Sequence, residues 1–392
     1  MSVRRVLGSR LGQSPHRATG TTWWRVSLLV LLTLLVSGCG GGLRHESWPG
    51  LSEHDGTLYV ANLERIQALN AESGKVYWSY PSEDDNDLRP FYSTPQLAAD
   101  VGENGLLVIA GFKDQTVYGL ALGASAAERP DEVWRFAEAS GQYVGTGTIS
   151  GDVFVIGNGD GNVYALDLAD GSKAWQFETN DRVWAKPLVD GDVVYVASLD
   201  HHLYALDIET GDELWRFEAA GAIAASPVLV DGDLWIGDFA STLYQIDVET
   251  QDAAWTYEAG DWLWATPLEM DGILYFADVG GSVYALDVAT REFVWDAPTA
   301  VGDVVHGRPA LNPDQGLLYV PGFEEGGMHA IDAATGDLRS SWGTVQKNPG
   351  RLPGDLITDG ERLYAMPIMV AARVQAYDLV SGELLWSSPE AE

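Results

Sequence analysis

Aspartates 167, 207, 247 and 287 recur every 40 residues, each inside the same short motif. The clearest copy is Ala205-Leu206-Asp207-Ile208-Glu209-Thr210-Gly211-Asp212-Glu213-Leu214-Trp215. Its neighbours read Ala165-Leu166-Asp167 … Gly171 … Trp175, Gln245-Ile246-Asp247 … Gln251 … Trp255 and Ala285-Leu286-Asp287 … Arg291 … Trp295. Four looser copies carry Trp78, Trp134, Trp342 and Trp386, which brings the count to eight. A period of this length, filled with short β-like runs, restricts the chain to a propeller or a solenoid. It also lets 392 residues fold as one body, because each unit packs only on its neighbours.

Each unit reads as four strands. In the fourth, apolar runs at 185–189, 193–197, 203–208 and 214–218 are separated by turns. Asp-Gly, a tight-turn pair that tolerates positive φ, recurs at Asp55-Gly56, Asp231-Gly232, Asp271-Gly272 and Asp359-Gly360. The expected fold is all-β: an eight-bladed β-propeller of four-stranded antiparallel blades over residues 48–392.

The Ala-x-Asp-x-x-Thr-Gly-x-x-x-Trp pattern resembles the tryptophan-docking repeat of the PQQ-like eight-bladed propellers. The resemblance implies that Trp78, Trp134, Trp175, Trp215, Trp255, Trp295 and Trp386 are structural. A buried indole on the outer strand packs between blades and needs a partner for its N–H. Trp175, Trp215, Trp255, Trp295 and Trp386 are expected to be largely buried. Gln251 and Arg291 replace the motif glycine, the second unit holds an insertion before Trp134, and Trp342 comes two places late.

Ahead of the repeats, Arg4, Arg5, Arg10, Arg17 and Arg25 precede an apolar run from Val26 to Val36. That run falls short of the roughly 20 apolar residues that span a bilayer. A basic start, a short apolar core and small residues describe an export signal over 1–38. Leu35-Val36-Ser37-Gly38-Cys39 resembles the lipobox of bacterial lipoproteins. That likeness implies cleavage before Cys39, a lipidated thiol and a short tether over 39–47. The protein is then exported and lipid-anchored to the cell envelope, at the outer membrane where the organism has one and otherwise on the outer face of the cell membrane. Cys39 is the single cysteine, so no intrachain disulfide forms. A net charge of −34 repels nucleic acid and anionic lipid, so nucleic acid is not an expected partner.

A candidate site comes from aligning the units on the proline that opens the first strand. The residues three and one before it share a face, and the residue between them faces away. On the shared face stand Tyr92, Trp184, Lys186, Trp264, His306 and Arg308, while the intervening positions are Ser, Gly or Ala. If the first strand is innermost, those six line one mouth of the central channel. Aromatics with a few cations suit a partner or a planar or anionic ligand.

Motifs for chemistry are missing. The sequence holds no phosphate-binding loop, no nucleophile elbow and no zinc-type Cys/His spacing. Adjacent His201 and His202 point apart when extended, and Gly157-Asn158-Gly159-Asp160-Gly161-Asn162 lacks the later bidentate acid of a calcium loop. No metal, no cofactor and no enzymatic activity are expected. Fold and anchor together resemble the BamB-like propeller lipoproteins of outer-membrane β-barrel assembly, which implies a scaffold that docks on a protein partner in the envelope. Two alternatives are a relative of the PQQ-dependent quinoprotein dehydrogenases and a propeller that binds carbohydrate or another small ligand. The first lacks the vicinal cysteines that family commonly stacks on PQQ.

Overall fold

The structure is a computed structural model that describes residues 50–62, 65–82, 91–324, 327–339, 350–368 and 374–388. The export signal, Cys39, the tether and Trp342 lie outside the described residues. The molecule is an eight-bladed β-propeller, and every blade is an antiparallel meander of consecutive strands. Blade 4 is representative: Leu188–Asp190, Val193–Ala197, His202–Asp207 and Glu213–Glu218, hydrogen-bonded in that order. Seven sheets show four strands; blade 7 shows three among the described residues, with a bridge from Ile331 to Leu338 where a fourth begins.

The strands fall where the periodicity places them. The middle two of each blade are buried on both faces, so they read as continuous apolar runs such as Val193–Ala197. The turn between the first two strands has positive φ at both residues in Asp55-Gly56, Asp231-Gly232 and Asp271-Gly272. One regular-looking blade departs from the pattern. In blade 6 the outer strand is interrupted after the Leu286–Phe293 bridge and resumes only at Thr299–Ala300, past Pro298, which has no N–H for the ladder.

The core is divided among the interfaces between blades. Eight apolar clusters occur, and each draws on two adjacent blades, including one from Leu51, Leu58 and Val60 of blade 1 to Tyr364, Met366 and Val374 of blade 8. That last cluster closes the ring. Among the described residues no strand is exchanged between first and last blade; closure is by side-chain packing.

The outer strand carries a recurring irregularity. In blades 1 to 5 and 8 the register against the third strand slips by one residue just before the tryptophan. In blade 4, Ala205 pairs with Trp215 but Leu206 pairs with Glu213, so Leu214 is the extra residue of a β-bulge. The bulge turns Trp215 toward the next blade and leaves Leu214 about half exposed (51%).

The indoles then dock. Trp134 Nε1 donates to the carbonyl of Leu168 at 2.8 Å, Trp175 to Ile208 at 2.8 Å, Trp295 to Ala333 at 3.0 Å and Trp386 to Ala71 at 3.1 Å. Each acceptor directly follows the motif Asp, or Asn70, of the next blade. The motif glycine lets the ring approach: a Cβ on Gly211 would lie 2.7 Å from the Trp175 indole. Burial is less uniform than expected. Trp78, Trp134, Trp175 and Trp295 are buried, but Trp215, Trp255 and Trp386 are only half-buried. At the position equivalent to Gly211, the blades that follow Trp215 and Trp255 carry Gln251 and Arg291, both held at positive φ. Arg291 reaches back to Gln245 of blade 5, Nε to Oε1 2.9 Å.

Candidate functional site

The first strands surround the axis, and at one end they frame a cavity of about 350 Å³. Tyr92, Trp184, Lys186, Trp264, His306 and Arg308 all line it. The repeat alignment therefore gathers these six onto one wall. The small residues between them face the adjacent blade. A Cβ on Gly145 would sit 2.0 Å from the Trp184 carbonyl oxygen, and one on Gly307 2.0 Å from that of Gly354. Ala185, Ala225 and Ala265 are buried at the same step.

A set of hydrogen bonds between blades runs around the cavity. The N–H of Thr94 donates to Thr146 Oγ1 (2.9 Å), that of Lys186 to Ser226 Oγ (2.9 Å) and that of Ser226 to Thr266 Oγ1 (3.2 Å). The N–H of Arg308 donates to Asp355 Oδ1 (2.8 Å). In each pair a side-chain oxygen two residues before the strand accepts from the equivalent amide of the preceding blade. This network was not legible in the sequence, because every bond joins residues about one repeat apart.

The aromatic part of the wall is contiguous. Trp264 lies 5.1 Å from His306, which lies 4.7 Å from Phe323, and Arg351 stands over Phe323 at 5.4 Å. Trp184 and Trp264 are 6.4 Å apart and tilted by 35°. A flat fused ring stacked on both faces needs parallel plates roughly 7 Å apart, twice a van der Waals contact. The two indoles do not form such a slot, so this pair does not fit PQQ as a sandwich. Among the described residues no cluster of three His, Cys, Asp or Glu could hold a metal ion.

Charge in the cavity is mixed. Lys186 remains accessible from the mouth and reaches across to Gln96, Nζ to Oε1 3.4 Å. The surrounding walls still strip enough water to lower its pKa; Arg308 pushes the same way and Asp355 opposes. His306 keeps part of its ring open, but both nitrogens are sealed and without partners. Burial takes its pKa down to about 4 against a weaker pull upward from Asp303, so the imidazole is neutral at pH 7. Trp184 Nε1 and Arg308 Nε are also buried without partners.

The calcium-like loop is an Asx network. Asp160 accepts from Ser140 N (2.9 Å), Asn162 N (3.0 Å) and Tyr164 OH (2.8 Å). Burial opposes ionisation of Asp160, but these bonds outweigh it and hold its pKa below the usual carboxylate range. Asp200 with Tyr204, Asp238 with Tyr244 and Asp278 with Tyr284 repeat the arrangement. His202 opens the third strand of blade 4, its Nδ1 3.0 Å from the Asp200 carbonyl, and His201 is exposed.

Comparison with known proteins places this architecture. Residues 121–231 and 219–392 match the family described as outer membrane protein assembly factor BamB. The chain belongs to the BamB family. The BamB of Moraxella catarrhalis superposes with a TM-score of 0.65 at 19% identity, over 84% of this chain and 96% of that one. A europium-containing methanol dehydrogenase gives 0.60 at 14% identity, over 75% and 80%. At these identities the likeness is one of fold. A 1-butanol dehydrogenase (quinone) of Thauera butanivorans is 29% identical over 150 residues, 35% of this chain and 22% of that protein. The serine/threonine-protein kinase AfsK of Streptomyces griseus is 28% identical over 142 residues, 35% and 16%. The chain thus spans about a fifth of the length of these curated relatives.

Proposed function

We propose that this BamB-family propeller is an exported, lipid-anchored scaffold that docks on a protein partner in the cell envelope, without catalysis of its own. The observation that carries the reading is the family match over residues 121–392, supported by a BamB structure whose whole ring superposes on this one. By the family's description the partner belongs to outer-membrane protein assembly. Capture from crosslinked membranes tests this. Recovery of an envelope assembly protein is expected, and recovery only of cytoplasmic proteins would overturn the reading.

The anchor is separable. Cys39→Ser is expected to move the protein from the membrane pellet to the soluble fraction after a high-salt wash, because lipid chains rather than a spanning helix hold it. Retention of the variant in the washed pellet would overturn attachment by lipid alone. The 1-butanol dehydrogenase match favours a second reading, a PQQ-dependent alcohol oxidase. Dye-linked alcohol oxidation by the purified chain with PQQ and calcium would establish it in place of the first.

A further inference from the structure

In blades 3, 5, 6 and 8 the residue two before the first strand offers a side-chain oxygen to the amide of the preceding blade: Thr146, Ser226, Thr266 and Asp355 do so. At the same step blades 4 and 7 carry Lys186 and Arg308, which have donors and no acceptor. These two blades give up an inter-blade bond that their neighbours make. In exchange, two cations face one cavity of about 350 Å³, close enough that Arg308 opposes the charge on Lys186. The acid in the wall, Asp355, already accepts from the Arg308 amide. Like charges around a small cavity cost energy unless a counter-ion joins them. Four polar atoms of the same wall, in Trp184, His306 and Arg308, also lack partners. Each buried unpaired group costs stability, so this wall carries polar groups that a scaffold role does not use.

We propose that the axial cavity is a binding site for a small, compact organic carboxylate, with Lys186 and Arg308 as its counter-ions. The carboxylate joins the two cations, and the body of the ligand lies against Tyr92, Trp184 and Trp264. The cavity volume limits the ligand to small-molecule size. The 35° tilt between the indoles selects a compact body over a flat fused ring. The site is independent of partner docking, and it gives the basic face of this acidic ring a role that a scaffold does not require.

The test uses the purified full-length chain in detergent, with calorimetry and tryptophan fluorescence. Benzoate is expected to bind at one site and quench fluorescence, and its neutral isostere benzamide to bind at least about tenfold more weakly. Lys186→Ser with Arg308→Thr restores the hydroxyls of the other blades. This double variant is expected to lose benzoate binding about tenfold or more and to melt at a higher temperature than the parent. If it fails to fold, Lys186→Ser alone serves the same comparison. Absence of saturable benzoate binding, or benzoate binding unchanged in the variants, would overturn the site. Inorganic phosphate binding as tightly as benzoate would overturn the apolar component. Stoichiometric PQQ that competes with benzoate and binds more tightly would overturn the compact ligand. A negative result would leave the scaffold reading intact, since no partner is present in the assay.

Discussion

His306 shows how one residue couples the axis to pH. Its folded pKa, about 4, lies below that of a free imidazole. Between pH 6.5 and 4 the unfolded chain therefore takes up a proton that the folded chain refuses. Its contribution to stability is complete above about pH 6.5 and declines as pH falls toward 4, by on the order of 3 kcal/mol. Denaturant midpoints across this window should fall less in His306→Phe than in the parent, and equal falls would mean that the imidazole is not held neutral. Asp160 and Asp200 act lower, since their pKa values are depressed and their contribution fades only below about pH 4. The docking tryptophans differ among themselves in burial. Trp175→Ala should cost on the order of 3–5 kcal/mol, and Trp215→Ala clearly less. Gln251→Gly should raise stability by about 1 kcal/mol, by relieving a non-glycine residue at positive φ. Thermal melts of the three variants check the order.

At the scale of the strand, the bulge before the tryptophan accounts for what looks like misplaced apolar surface. Val133, Leu214 and Leu385 are about half exposed because each is the extra residue that turns its neighbouring indole inward. Leu214→Lys should change stability by less than about 0.5 kcal/mol. Deleting Leu214 keeps the pairs Ala205–Trp215 and Leu206–Glu213 but removes the bend that aims the indole, so it should cost about as much as Trp215→Ala. Comparable melting temperatures for the deletion and Leu214→Lys would refute a bulge at this position. Much of this level was legible in the sequence. Four strands per unit followed from apolar runs and Asp-Gly turns, and the cavity wall from alternation about the first-strand proline. The bulge was hidden because Glu213-Leu214-Trp215 alone does not reveal which residue is extra. Blade 7 was hidden for another reason. Tyr319 OH donates to the Leu379 carbonyl at 2.7 Å, as Tyr364 OH does to the Ala71 carbonyl in the next blade, and only the fold brings those residues together.

For the whole molecule, the decisive feature is a ring of contiguous meanders that, among the described residues, closes without exchange of a strand. The Trp386 indole and the Tyr364 hydroxyl both donate to the carbonyl of Ala71, so the seam between blades 8 and 1 repeats the docking of Trp134, Trp175 and Trp295. A circular permutant opened between blades 4 and 5, near Gly221, with its old ends linked, should melt within a few degrees of the parent. One opened inside blade 4, at the Gly191-Asp192 turn, should melt well below it. The reverse order would show that the seam at blade 8 is special. Propellers that complete their last sheet with a strand from the other terminus must keep both ends of the gene in step. Here a duplicated or lost unit alters only the wedge between neighbours, so the circumference can grow or shrink by whole repeats while every blade remains the product of one uninterrupted stretch of coding sequence.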